Sequence, residues 1–176
     1  FINRTALTSA GIGLSAILPS KAWSAASPSD TINVALIGCN SMGFGDLQNH
    51  LDIAGVNCLA LSDVDENVLN KRAAEITAKY NQHPKLFSDF RKMLELKEID
   101  AVIIGTPDHW HCLNMVYAVQ AGKDVYVEKP MANSIAECNI MVRKKKKYDR
   151  IVQVGQQQRS GFIFQKAMEL IKSGKI

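Results

Sequence analysis

No two of the four cysteines, Cys39, Cys58, Cys112 and Cys138, stand in the C-x-x-C spacing that zinc and redox sites need, so all four read as free thiols. Charge of one sign is also scarce. The net charge of +4 is modest, and much of the excess lies in one run, Lys144 to Lys147, which reads as a solvated helix end rather than a nucleic-acid surface. No apolar run reaches the length of a membrane span, and no repeat or low-complexity segment is evident. What is there is ordinary for a folded domain: 47% hydrophobic and 22% charged residues over 176 positions, enough for one core and unlike a disordered chain or a coiled coil.

The first thirty residues differ from the rest. Phe1 to Leu18 carries no acid, one base (Arg4) and a mildly apolar stretch from Ala6 to Leu18 that Gly11 and Gly13 interrupt. Pro19 and the small residues around Ser24 to Ser27 follow, as they do at a signal-peptide cleavage site. The chain opens on Phe rather than Met, and Phe1-Ile2-Asn3-Arg4 resembles a twin-arginine export signal whose paired arginines lie just before Phe1. Residues 1–30 are therefore expected to be an export signal and linker, and the protein to be periplasmic. The alternative is a poorly packed tail.

From Thr31 onward, short apolar runs alternate with amphipathic ones. Strands are expected at Ile32 to Ile37, Val56 to Leu61, Lys85 to Phe87, Ala101 to Ile104, Val125 to Val127 and Ile151 to Val154. Helices are expected at about Phe44 to Asp52, Glu66 to Tyr80, Asp89 to Leu96, Trp110 to Ala121, Ile135 to Tyr148 and Phe162 to Ser173. Ser134 with Glu137 forms a capping box, Gly122 follows its helix where a left-handed residue is wanted, and Asp65 and Ser88 are candidate N-caps. Ala101-Val102-Ile103-Ile104 is apolar on both faces, as a strand is when helices cover both sides of a parallel sheet. The alternation predicts an α/β fold with a doubly wound parallel sheet.

The first strand runs directly into Gly38-Cys39-Asn40-Ser41-Met42-Gly43, which opens a helix. A dinucleotide fold turns tightly at this place, brings backbone close to the pyrophosphate and points a helix N-terminus at it. Asn40 stands at the middle glycine of G-x-G-x-x-G, and asparagine is among the few other residues that tolerate a left-handed backbone. Alone, the motif is weak. Asp63, at the end of the second strand, strengthens it, because an acid there accepts hydrogen bonds from the adenosine ribose and repels a 2′-phosphate. No arginine follows nearby to reverse that preference, so NAD is expected over NADP. In the other reading Asp63 merely starts the turn before the next helix, although Asp65 is the better cap.

The fourth strand ends in Gly105-Thr106-Pro107-Asp108-His109-Trp110-His111, beside the crevice that strand ends form in an open α/β sheet. His109 and His111 lack the Cys or paired acid that would complete a metal set, which favours a structural or cofactor-contacting role and no bound metal. Trp110 packs either on the nicotinamide side or on the sheet. The fifth strand ends in Glu128-Lys129-Pro130. Alcohol oxidation needs a group that removes the hydroxyl proton while hydride leaves, and a lysine desolvated beside a cationic ring suits that task. Pro130 disfavours a helical Lys129 and so holds it at the strand end.

Gly38 to Gly43, Asp63, Thr106 to His111, Glu128-Lys129-Pro130 and Val154-Gly155-Gln156-Gln157-Gln158-Arg159 together resemble the glucose-fructose oxidoreductase, inositol dehydrogenase and rhizopine-catabolism (Gfo/Idh/MocA) family. The resemblance covers about Thr31 to Arg159, and Glu-Lys-Pro is its most specific element. It implies a Rossmann NAD-binding domain over residues 31–158 with Lys129 as the catalytic lysine. It implies that Gly38, Asn40, Ser41, Met42, Gly43, Asp63, Thr106, Pro107, Asp108, His109, Trp110, His111, Glu128, Lys129 and Gln157 form the cofactor site. Gln156 to Arg159 would lie at the entrance to an α+β substrate domain, of which residues 159–176 are only the start. Members use a sugar or polyol as substrate and associate through that second domain, so a homo-oligomer is expected of the full-length protein. Three functions follow as candidates: an NAD-dependent sugar or polyol oxidoreductase, an NAD-dependent glycosidase that oxidises a sugar transiently, and a non-catalytic NAD-binding protein.

Overall fold

The computed structural model describes residues 31–175, so the expected export signal lies outside the described residues. In chain order these form β1 (Ile32–Ile37), α1 (Ser41–Leu51), β2 (Val56–Ser62), α2 (Glu66–Tyr80), β3 (Lys85–Phe87), α3 (Phe90–Leu94), β4 (Ala101–Ile104), α4 (His111–Gln120), β5 (Asp124–Glu128), α5 (Ile135–Tyr148), β6 (Val152–Gly155) and α6 (Phe162–Lys172). Two single 3-10 turns, Asp108–Trp110 and Gln157–Ser160, precede α4 and α6. All six strands are parallel, in the order β3-β2-β1-β4-β5-β6. The expected doubly wound sheet is therefore present, and its order reverses between β1 and β4, where such sheets form a ligand crevice.

The central strands β1 and β4 bury both faces because alternate side chains enter different cores. Ala35, Ile37, Val102 and Ile104 join one core with Met115 and Val119 of α4 and Met141 of α5. Val34, Leu36 and Ile103 join the other with Leu47 of α1 and Ile76 of α2. Local chemistry sets the helix ends. Asp65 Oδ1 accepts the Asn67 N–H at 2.9 Å and caps α2. Ser134 Oγ accepts the Glu137 N–H, while the Glu137 carboxylate reaches back to the Asn133 N–H, one residue before the cap itself. Gly122 takes the left-handed conformation (φ 77°) after α4, as expected. The cap of α3 is Asp89 rather than Ser88: its carboxylate accepts the Arg91 N–H at 3.0 Å and also holds the Arg91 guanidinium, which a serine hydroxyl could not do as strongly. Lys145, Lys146 and Lys147 occupy the last turn of α5, where cations favour the helix dipole.

Because the strands run the same way, every segment that follows one emerges on the same edge. Gly38, Asp63, Ser88, Gly105, Lys129 and Gln156 are the first residues past the six strand ends. Sequence positions far apart become neighbours along one line.

Candidate active site

The glycine turn is built by close backbone approach. Gly38 has φ +84°, and a Cβ there would lie 2.7 Å from the Thr106 nitrogen. Gly43 and Gly105 lie against each other, so a Cβ on Gly43 would strike the Gly38 carbonyl oxygen and one on Gly105 would strike the Gly43 Cα. Side chains are thus excluded where the start of α1 crosses the end of β4. The expectation of a left-handed Asn40 is corrected. Its backbone is extended (φ −101°, ψ 165°), because its Oδ1 accepts the Ser41 N–H at 2.9 Å in the N-cap position. The left-handed turn falls on Ser41 instead (φ 44°).

Asp63 lies at the rim of a cleft of about 410 Å³ that Gly38, Val64, Phe90, Thr106, Pro107 and Trp110 also line. Its Oδ2 accepts the Cys39 N–H at 2.7 Å and its Oδ1 the Asp65 N–H at 3.0 Å. The carboxylate thus ties the glycine turn to the turn before α2, and each oxygen keeps a lone pair for a ligand. The expectation that no arginine stands nearby is corrected too. Arg72 of α2 folds back onto the glycine turn, donating from Nε to the Cys39 carbonyl at 3.2 Å and from Nη2 to Asn40 Oδ1 at 3.3 Å. Its guanidinium lies 4.3 Å over the Phe44 ring and pairs with Glu75 at 2.8 Å. Those contacts engage all three of its nitrogens and make it a brace for the turn.

The loop after β4 divides by exposure. Trp110 is 44% exposed and lines the cleft with Thr106 and Pro107, while Asp108 and His109 sit at the surface with a loose contact of 3.7 Å. His111 is buried, its Nδ1 2.7 Å from the Pro130 carbonyl and its Nε2 2.8 Å from the Thr106 carbonyl. It links the Thr106 loop to the Glu128-Lys129-Pro130 turn from inside. Asn114, buried on α4, donates to Thr106 Oγ1 at 3.2 Å.

Glu128 is also buried, and its Oε2 accepts the N–H of Lys129 at 2.9 Å. The Lys129–Pro130 peptide is cis. Lys129 shares an open cavity of about 440 Å³ with Gln156, Gln157, Gln158 and Arg159. The fold therefore gathers the expected residues into two groups along one edge. Gly38, Asp63, Thr106, Pro107 and Trp110 surround the cleft, Lys129 and Gln157 the cavity, with Asn40, Ser41 and the exposed Met42 at the mouth of the glycine turn. Sequence reasoning did not single out Gly105, Arg72, Asn114 or Asp46. Only Gly105 left a signal, as a glycine directly after a strand. A cradle that rejects side chains at three points and opens on a helix N-terminus fits a dinucleotide pyrophosphate. Among the described residues no group of three His, Cys, Asp or Glu side chains is placed to hold a metal ion, and no helix is long and apolar enough to cross a membrane.

Comparison with known proteins agrees with this geometry. The family model described as an oxidoreductase family with an NAD-binding Rossmann fold (GFO_IDH_MocA) matches residues 32–156. A glycosyl hydrolase family 109 protein of Shewanella putrefaciens is 29% identical over 113 residues, 62% of this chain and 25% of that protein. An α-N-acetylgalactosaminidase of Shewanella oneidensis is 27% identical over the same length. Among solved structures, scyllo-inositol dehydrogenase from Lactobacillus casei with bound NAD(H) and scyllo-inositol superposes with a TM-score of 0.73 at 26% identity, covering 83% of this chain and 42% of that one. Myo-inositol 2-dehydrogenase from Lactobacillus plantarum gives 0.71 at 25% identity with the same coverage. The chain spans about a quarter of the length of these curated relatives and about two fifths of these solved structures.

Proposed function

Since the chain belongs to the GFO_IDH_MocA oxidoreductase family, with its NAD-binding Rossmann fold, we propose that it is the cofactor-binding part of an enzyme that moves a hydride between NAD and a sugar or polyol hydroxyl carbon. The observation that carries this reading is the alignment of glycine cradle, Asp63 and Lys129 along the strand ends. Gly38 to Gly43 would hold the pyrophosphate, Asp63 the adenosine ribose, and Thr106, Pro107 and Trp110 the wall beside them. Bound there, the nicotinamide supplies the hydride acceptor. Lys129 takes the hydroxyl proton, and Glu128 and His111 hold the backbone that carries it. Residues 159–176 begin the substrate domain, the full-length protein associates as a homo-oligomer through that domain, and residues 1–30 direct export to the periplasm. In the full-length enzyme Lys129→Ala is expected to lower turnover about 100-fold or more with little change in NAD affinity. Equal turnover would remove Lys129 from the chemistry.

A second reading has a specific observation in its favour. Relatives named as a glycosyl hydrolase family 109 protein and an α-N-acetylgalactosaminidase favour a glycosidase. In this reading the enzyme would oxidise a sugar hydroxyl, eliminate the leaving alcohol, add water in its place and return the hydride. Steady accumulation of NADH with substrate supports the dehydrogenase, and hydrolysis without net NADH supports the glycosidase. NAD binding that survives Lys129→Ala with no functional loss would support a non-catalytic role.

A further inference from the structure

Behind the Glu128-Lys129-Pro130 turn lies a second acid that the proposed chemistry does not use. Asp46, on α1, is 5% exposed, and Glu128, the last residue of β5, is 4% exposed. Neither carboxyl group forms an ion pair. Asp46 Oδ2 and Glu128 Oε1 each lack a hydrogen-bond partner, which is costly for buried oxygens. Among the described residues no lysine or arginine pairs with either carboxyl group. On α1, the His50 ring Nδ1 is taken by the Asp46 backbone carbonyl at 2.7 Å, leaving the carboxyl untouched, and the ring packs edge-on against Tyr126 of β5. β6 contributes Gly155, where a Cβ would lie 2.8 Å from Glu128 Oε1 and 2.7 Å from the Tyr126 hydroxyl. Gly155 thus packs directly against the Glu128 carboxylate.

Asp46 and Glu128 lie within side-chain hydrogen-bonding reach of each other, and two buried carboxylates so placed do not both ionise. One proton between them satisfies both orphaned oxygens at once. We infer that Asp46 is a positioning residue, sharing a proton with Glu128 so that the Glu128 carboxylate keeps its hold on the Lys129 N–H and Lys129 keeps its place at the strand end. The inference rests on the reading that Lys129 faces the nicotinamide. Burial first, and then the charge and hydrogen bond of Glu128, push Asp46 up to about 6, with His50 working weakly the other way. Burial and the same two carboxyl groups raise Tyr126, which therefore stays protonated and supplies no negative charge.

The test is a carbon-13 titration of the carboxyl groups of Asp46 and Glu128, followed together with the Lys129 amide proton, in the 176-residue chain without NAD. The expected result is that the Asp46 step near pH 6 also moves the Glu128 carboxyl resonance and, with the same midpoint, the Lys129 amide. Asp46→Asn presents a permanent N–H to Glu128, so the Lys129 amide should hold its low-pH position at every pH and the step should disappear. Asp46→Leu supplies volume without a donor and should shift the Lys129 amide even at low pH. Should the leucine variant fail to fold, the asparagine variant and the native chain decide alone. Independent titrations near pH 4, or a Lys129 amide indifferent to the step, would overturn the inference. A separate NAD titration distinguishes the two claims: absence of binding removes the proposed function and leaves the coupling intact.

Discussion

Asp63 does two things at once, and its variants should separate them. Its carboxylate accepts the Cys39 and Asp65 N–H groups, and it borders the cleft expected to take the adenosine ribose. Asp63→Ala should cost about 1–3 kcal/mol of stability by leaving the Cys39 N–H without an acceptor. It should also weaken the preference for NAD over NADP, which paired calorimetric titrations would show as converging affinities; an unchanged ratio would leave Asp63 a structural residue only. Asp46 makes a prediction in pH. Its folded-state pKa of about 6 stands above the ordinary 3.8, so between those values the folded chain holds a proton that the unfolded chain has released. Stability from this group is therefore full below about pH 4, falls as pH rises towards 6, and levels beyond. The span corresponds to about 3 kcal/mol. Urea unfolding from pH 4 to 8 should show this slope in the native chain and lose it in Asp46→Asn.

Among the elements, α1 carries the sharpest contrast, because two of its glycines obey opposite rules. Nothing lies within 4 Å of a Cβ placed on Gly45, so Gly45→Ala should gain about 0.5–1 kcal/mol from helix propensity alone. Gly43→Ala gains the same propensity but drives a methyl into the Gly38 carbonyl and the Gly105 backbone, and backbone cannot swing aside. A net loss of about 1–3 kcal/mol or more is expected, with weaker NAD binding. Thermal melts of the two variants should move in opposite directions; a shared direction would refute the close approach of α1 and β4. The elements themselves were legible because β4 is apolar at every position and α2 and α5 carry amphipathic patterns with side-chain caps. Position within a turn was less so. Asn40 satisfies a neighbouring N–H through its side chain and passes the left-handed conformation to Ser41, a trade that residue preference does not reveal. Nothing in the sequence pattern marks Arg72 or Asp46, and only the folded chain brings one to Asn40 and the other to Glu128.

At the scale of the whole molecule, α6 differs from every other helix of eight or more residues in the described chain. It has no buried residue, and Phe162 and Ile163 are 79% and 78% exposed, with Phe164, Met168 and Ile171 also open to solvent. An apolar stripe of this kind marks a surface meant to be covered. It follows directly on Gln156 to Arg159, which border the Lys129 cavity. A second domain packed on α6 would therefore close over the Lys129 cavity while leaving the cleft at Asp63 unchanged. Replacing Phe162 and Ile163 together by serine should shift the stability of the 176-residue chain by no more than about 0.5 kcal/mol, since nothing is packed against them. The same pair in a protein that continues into the substrate domain should lose about 2 kcal/mol or more, together with turnover, because both side chains then leave water. NAD affinity should stay the same in both settings. Equal, small effects in the two proteins, read from parallel denaturation curves, would mean that the substrate domain leaves α6 uncovered and that the Lys129 cavity is closed from elsewhere.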